Sequence, residues 1–170
     1  HGCLSVYTPD WHRHALPTNT KLLGFAKECF QRATRLVESR PIGREHALLF
    51  AKQGAKVVVN DLGGGVDGSG ADISPAQSVV NEISEMGGEA VVNGDDVSSF
   101  DGAKNMVDQA INHFGKLDIL VNNAGTTHKN QSMLNIDEAT FDKVFDVNVK
   151  SIYHAAMHGV PALEKNGGGV

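Results

Sequence analysis

The stretch Leu117-Asp118-Ile119-Leu120-Val121-Asn122-Asn123-Ala124-Gly125 limits what this chain can fold into more than any other. An apolar run that ends abruptly in two amides, an alanine and a glycine reads as a strand buried on both faces. A strand with one wet face would alternate apolar and polar residues instead. Side chains no larger than a methyl group at Ala124 and Gly125 leave bare backbone for something to lie against. The Asn122 and Asn123 amides are suited to tying neighbouring loops by hydrogen bonds. A strand that closes in this way marks the carboxyl edge of an open α/β sheet, where ligands bind.

The sequence upstream repeats the alternation. Arg44 to Gln53 carries Ala47, Leu48 and Ala51 on one helical face, and Gly54 suits its C-cap. Lys56 to Asn60 is a short β-branched strand, and the loop after Asp61 is rich in Gly, Asp and Ser. Pro75 opens a helix through Met86 that turns Val79, Val80 and Ile83 inward, and Gly87-Gly88 ends it. Glu89 to Asn93 is the next strand, followed by Asp95-Asp96-Val97-Ser98-Ser99 and a helix from about Phe100 to Phe114. Strands alternating with helices of this length predict βαβ units. The fold expected is α/β, an incomplete doubly wound parallel sheet of Rossmann-like, three-layer α/β/α form. All its strand ends gather on one edge.

Residues 1–38 differ in texture and are expected to be an atypical N-terminal extension, partly helical. There Leu22, Leu23, Ala26, Cys29, Phe30, Ala33, Leu36 and Val37 recur at helical spacing. Cys3, His12, His14 and Cys29 match no metal-site spacing, so no metal is expected. Residues 39–170 are expected to be a partial dinucleotide-binding domain truncated at its C-terminus. The formal net charge of −5 gives no electrostatic reason to expect nucleic acid as partner. No apolar run approaches the roughly 20 residues of a membrane span, and no signal-peptide pattern opens the chain. The expectation is a cytoplasmic protein without a membrane partner.

The strand ends can then be read for chemistry. Asp61 closes an apolar strand where a dinucleotide-binding fold places a carboxylate on the adenine ribose. A carboxylate there accepts two hydroxyl hydrogen bonds and repels a 2′-phosphate. Two unit charges about 4 Å apart at an effective dielectric near 20 cost about 4 kcal/mol, which predicts NAD over NADP. Asp96-Val97 ends the next strand, where the carboxylate is able to accept from an adenine amino group and a backbone N–H to donate to the ring. His154 and His158 lie at i, i+4, but Ala155 replaces the glutamate of a zinc hydrolase and no third ligand is evident. The loop from Gly63 to Gly70 lacks a Gly-Lys-Ser/Thr ending and follows the second strand, so it reads as a connection rather than a P-loop.

Together these strand ends resemble the short-chain dehydrogenase/reductase family from about Ile42 to Val170, and Asn122-Asn123-Ala124-Gly125 is similar to its NNAG motif. Asn60-Asp61-Leu62-Gly63-Gly64, with Gly68-Ser69-Gly70 after it, resembles the branch of (3R)-hydroxyacyl-CoA dehydrogenases and 3-oxoacyl reductases. The resemblance implies a cofactor site at Ile42, Gly43, Asp61, Leu62, Asp96, Val97, Asn122, Asn123, Ala124 and Gly125. It also implies a catalytic role for Asn148 on a long helix, a small secondary alcohol or ketone as substrate, and a homo-oligomer as the full-length form.

The chain departs from the family pattern at both ends. Of the glycine-rich turn only Ile42-Gly43-Arg44-Glu45 is kept. By alignment the first two motif glycines fall at Val37, which is β-branched, and Pro41, which lacks an N–H. Leu4-Ser5-Val6-Tyr7 is the candidate for a substitute first strand, at the end of a long connection. The family reaction also uses a tyrosine with a lysine four residues later that lowers its pKa. Here Tyr7 and Tyr153 are followed at that spacing by Trp11 and Met157. The polypeptide as written is therefore expected not to turn over substrate, and the flanks of Leu117–Gly125 are expected to be exposed or rebuilt. Two other readings stand beside the enzyme: a non-catalytic dinucleotide-binding or interaction fragment, and an S-adenosylmethionine-binding Rossmann domain.

Overall fold

The computed structural model describes residues 4–9, 42–63 and 73–170. The helix expected within residues 20–37 and the cysteines and histidines of the first 29 positions lie outside them. So do most of the loop after Asp61 and residues 37–41 of the former glycine turn.

In chain order the elements are β1 (Leu4–Pro9), α1 (Ile42–Lys52), β2 (Ala55–Asn60), α2 (Ser74–Glu85), β3 (Ala90–Asn93), α3 (Phe100–Phe114) and β4 (Ile119–Val121). A 3-10 turn at Met133–Asn135 leads to α4 (Glu138–Phe145), a π-helical turn (Asp146–Lys150) and α5 (Ser151–Lys165). The expected helices and strands of the Rossmann-like part are present, and their ends follow from local chemistry. Gly115, at φ +85°, closes α3 with its N–H on the carbonyl of Ile111. The Ser99 hydroxyl opens the same helix by accepting from the N–H of Gly102.

The sheet has the order β3-β2-β1-β4. Alternation along β2 divides the core: Val57 and Val59 meet Ala47, Leu48 and Ala51 of α1 and Val79, Val80 and Ile83 of α2. Val58 faces the other side, with Met106, Val107 and Ala110 of α3, Leu117, and Ala155 of α5. Helices thus cover both faces of the sheet, and the three-layer α/β/α arrangement is formed.

One strand departs from the expectation of a parallel sheet. β2 and β3 pair in parallel, with Asn60 beside Asn93. β1 occupies the slot between β2 and β4 but runs antiparallel to both, with Leu4 opposite Asn60 and Pro9 opposite Ala55. The sheet is therefore rebuilt across its centre rather than left open. On the other flank of β4, the N–H of Leu120 donates to Val170 O (2.8 Å) and the N–H of Val170 donates to Asp118 O (3.1 Å). An open ladder edge leaves N–H and C=O groups unpaired, so both flanks gain by recruiting whatever extended chain is within reach.

Candidate nucleotide-binding edge

Because β2, β3 and β4 all end on one side, the sheet has an edge made of Asn60–Gly63, Asn93–Val97 and Val121–Gly125. After the Gly54 turn β2 runs back along helix α1, so the N-terminus of α1, Ile42-Gly43, reaches the same edge. Ile42 is exposed there and Gly43 is buried.

Asp61 is fixed by its own loop. One carboxylate oxygen accepts from the N–H of Gly63 (2.7 Å), and its backbone N–H donates to Asn93 O (3.1 Å). Gly63 at φ +70° permits the tight turn that brings this N–H back. The second Asp61 oxygen has no partner among the described residues. Leu62, beside it, is exposed. Asp96 is arranged in the same way: one oxygen accepts from the N–H (2.8 Å) and the hydroxyl (2.7 Å) of Ser98. Val97 is turned into the core between α3 and β2.

Asn148 lies in the π-helical turn between α4 and α5, a geometry that concentrates at functional positions. Its Oδ1 accepts from the N–H of Thr126 (2.7 Å) and its Nδ2 donates to Thr126 O (2.9 Å). This two-point clamp holds the backbone just past the Asn122–Gly125 stretch. A Cβ on Gly125 would lie 3.4 Å from Asn148 Oδ1, so Gly125 sits directly beside the clamp. Ala124 packs on the core below β4.

Asn122 and Asn123 do not tie loops together among the described residues. Neither makes a side-chain hydrogen bond with the described residues, and Asn122 is exposed. The backbone bonds on that flank of β4 come from Val170, which brings no loop to the amides.

Several groups missed in the sequence hold the edge together. Asn60 and Asn93 are 2% and 5% exposed, and Asn60 Nδ2 donates to Asn93 Oδ1 (2.6 Å) and Asp95 O (2.9 Å). The available signal was an asparagine closing each of two β-branched runs, where an apolar residue would bury more cheaply. At the start of α1, the Arg44 guanidinium forms an ion pair with Glu82 of α2 and also meets Glu45. The Glu82 hydrogen bond raises its pKa above the ordinary arginine value, and this charge is spent on helix packing.

His154 and His158 pack on the ring of Phe100 at centroid distances of 5.4 and 4.3 Å. Among the described residues no three His, Cys, Asp or Glu side chains gather as a metal site would require.

A dinucleotide fits part of this edge. Beyond β2 and β3 stand two carboxylates, each with one oxygen held by its own loop, together with a buried valine. Beyond β4, Ala124 and Gly125 carry no side chain larger than a methyl group. The pyrophosphate side differs from a strand–turn–helix seat, because β1 ends at Pro9 on the opposite edge. Six residues of strand, about 20 Å, separate that end from the N-terminus of α1.

Comparison with known proteins matches this architecture. A family model described as short chain dehydrogenase matches residues 38–170. The peroxisomal multifunctional enzyme type 2 of Drosophila melanogaster is 47% identical over 124 residues, covering 73% of this chain and 20% of the relative. A short chain dehydrogenase from Mycobacterium avium superposes with a TM-score of 0.65 at 44% identity, over 77% of this chain and 48% of that one. A 7α-hydroxysteroid dehydrogenase complexed with NADH and 7-oxo glycochenodeoxycholic acid gives a TM-score of 0.63 at 34% identity, over 76% and 48%. The chain thus spans a fifth of the first relative and about half of the two solved structures.

Proposed function

The chain belongs to the short-chain dehydrogenase family, an oxidoreductase family, and from that premise we propose that its carboxyl edge is an NAD site. The observation that carries the proposal is Asp61, half-buried at the end of β2, with one oxygen held by Gly63 and the other without a partner among the described residues. That carboxylate suits the two ribose hydroxyls and opposes a 2′-phosphate. Asp96 and Val97 would meet the adenine, Ile42 and Gly43 the phosphates, and Asn122 to Gly125 the nicotinamide half.

When bound, the nicotinamide ring supplies or accepts hydride. The residues of this chain bind and orient. Both atoms of the Asn148 amide are taken by Thr126. Its share in a proton relay would therefore pass through its backbone carbonyl and water. The substrate proposed is a secondary alcohol or ketone. The likeness of Asn60–Gly64 to the (3R)-hydroxyacyl-CoA dehydrogenase branch favours a 3-hydroxyacyl thioester. The 170 residues contain no Tyr-x-x-x-Lys, so this polypeptide is proposed to bind cofactor without turnover.

Assembly into a homo-oligomer is proposed for the full-length protein. It is supported by a line of exposed apolar side chains on the α4–α5 helix: Phe141, Phe145, Val149, Ile152, Met157 and Val160. Among the described residues no helix is long and apolar enough to cross a membrane. A cytoplasmic location remains a proposal, to be tested by imaging a tagged full-length protein.

Thermal denaturation with added ligands tests the reading. NADH at millimolar concentration should raise the melting temperature, with NADPH raising it less. No shift with either would sink the cofactor site. Stabilisation by S-adenosylmethionine alone would favour the second reading, a methyl-donor-binding Rossmann domain, for which an acid after β2 is also suited.

A further inference from the structure

Asn60 and Asn93 close two neighbouring parallel strands in register, both nearly inaccessible to water. Burying two amides where two valines would pack carries a desolvation cost unless their bonds are made. Here the bonds run outward to the loops. Asn93 Nδ2 donates to Asp95 Oδ2 (2.7 Å) and to Gln109 Oε1 (2.8 Å), while Asn93 Oδ1 receives the N–H of Asp95 (3.1 Å). Gln109, on α3, donates from Nε2 to Val92 O (2.9 Å), which fixes the amide that fixes Asn93. Asn105 Nδ2 reaches the other Asp95 oxygen (3.3 Å).

This pattern separates two adjacent aspartates. Asp95 has both carboxylate oxygens drawn back toward β3 and α3. Asp96, one residue on, takes no part in these bonds: it is exposed, with one oxygen held by Ser98. The same network spans the gap to the Asp61 loop, through Asn60 Nδ2 on Asp95 O and the Asp61 N–H on Asn93 O.

We propose that Asn60, Asn93 and Gln109 are positioning residues that hold the Asp61 and Asp96 loops at a fixed separation and turn Asp96 outward, so that the edge selects an adenine base. The proposal rests on the NAD-site reading above. A carboxylate held outward accepts from the exocyclic amino group of adenine and opposes the carbonyl oxygen that hypoxanthine carries at that place. Loosening the network frees either aspartate to approach the base, and the discrimination falls.

The test uses the full 170-residue chain and calorimetric affinities for NADH and its hypoxanthine analogue, with melting temperature measured alongside. The unaltered chain should bind the adenine form at least about tenfold more tightly. Asn93→Ala should bring that ratio below about threefold. Gln109→Leu, which removes one acceptor of Asn93 from the α3 side, should at least halve it and decides the matter if Asn93→Ala does not fold. A ratio unchanged in the variants while the melting temperature falls would make the network structural only and overturn the proposal. Equal binding of both dinucleotides by the unaltered chain would overturn it while leaving the NAD site standing. Binding of neither would remove the NAD site and the proposal with it.

Discussion

Gly102 offers a quantitative check on how the Asp96 loop is supported. A Cβ built on Gly102 would lie 2.2 Å from the carbonyl oxygen of Asp96 and 3.0 Å from its carbonyl carbon. Carbon and oxygen need about 3.3 Å, so Gly102→Ala must push the first turn of α3 and the loop apart by about 1 Å. Overpacking against backbone that cannot rotate away costs about 1–3 kcal/mol. Displacement also strains the Ser99 cap on the Gly102 N–H, worth about 1 kcal/mol. Alanine returns about 1 kcal/mol through helix propensity, leaving a net loss of about 1–3 kcal/mol. Gly159→Ala is the matched control, since its Cβ would meet Leu120 Cδ2 at 2.7 Å, the end of a side chain able to turn aside. It receives the same propensity gain and should stay within about 1 kcal/mol of the parent. In urea, with a slope of about 2 kcal/mol/M, the Gly102→Ala midpoint should fall by about 0.5–1.5 M. A Gly102→Ala midpoint at or above that of the parent would refute the reasoning, because the close approach would then carry no cost.

Asn148→Ala removes the acceptor at 2.7 Å and the donor at 2.9 Å that clamp Thr126, costing about 1–3 kcal/mol. The Thr126 amide should exchange with deuterium faster by more than any global destabilisation explains, and unchanged local exchange would count against the clamp. Burial lowers the pKa of His46, so the unfolded chain takes up its proton first. That stability is fully present above the unfolded value near 6.5 and is lost as pH falls below it. Urea titrations at pH 7.5 and 5.5 should show a smaller acid loss for His46→Gln than for the parent. The antiparallel register sets Thr8 opposite Lys56. In a background with Cys3→Ser and Cys29→Ser, Thr8→Cys with Lys56→Cys should oxidise to an intrachain disulfide, whereas Leu4→Cys with Lys56→Cys should not. The reverse outcome, read by mass spectrometry, would mean that β1 runs parallel.

The loss of the family's first glycine turn was legible at Val37 and Pro41, but its consequence for the sheet was not. A short apolar run announces a strand without announcing its direction, and Leu4–Pro9 is such a run. Asp61 and Asp96 stand out in the sequence because each follows shortly after a run rich in β-branched residues. Asn60 and Asn93 close the same runs, yet their partnership depends on the register of β2 against β3, which no local pattern encodes. Asn122 and Asn123 show the converse: a recognisable motif whose amides find no partners among the described residues.

The sequence alone determined the family likeness, the alternation of strands and helices and the identity of the acids at the strand ends. Those follow from residue type and short-range spacing, which set periodicity, capping and turn chemistry. Tertiary structure decided the polarity of β1, the Thr126–Asn148 clamp and the amide network that draws the Asp95 carboxylate toward β3 and α3. Each of these joins groups far apart in the chain, and their hydrogen bonds exist only once the sheet has fixed the distance between them.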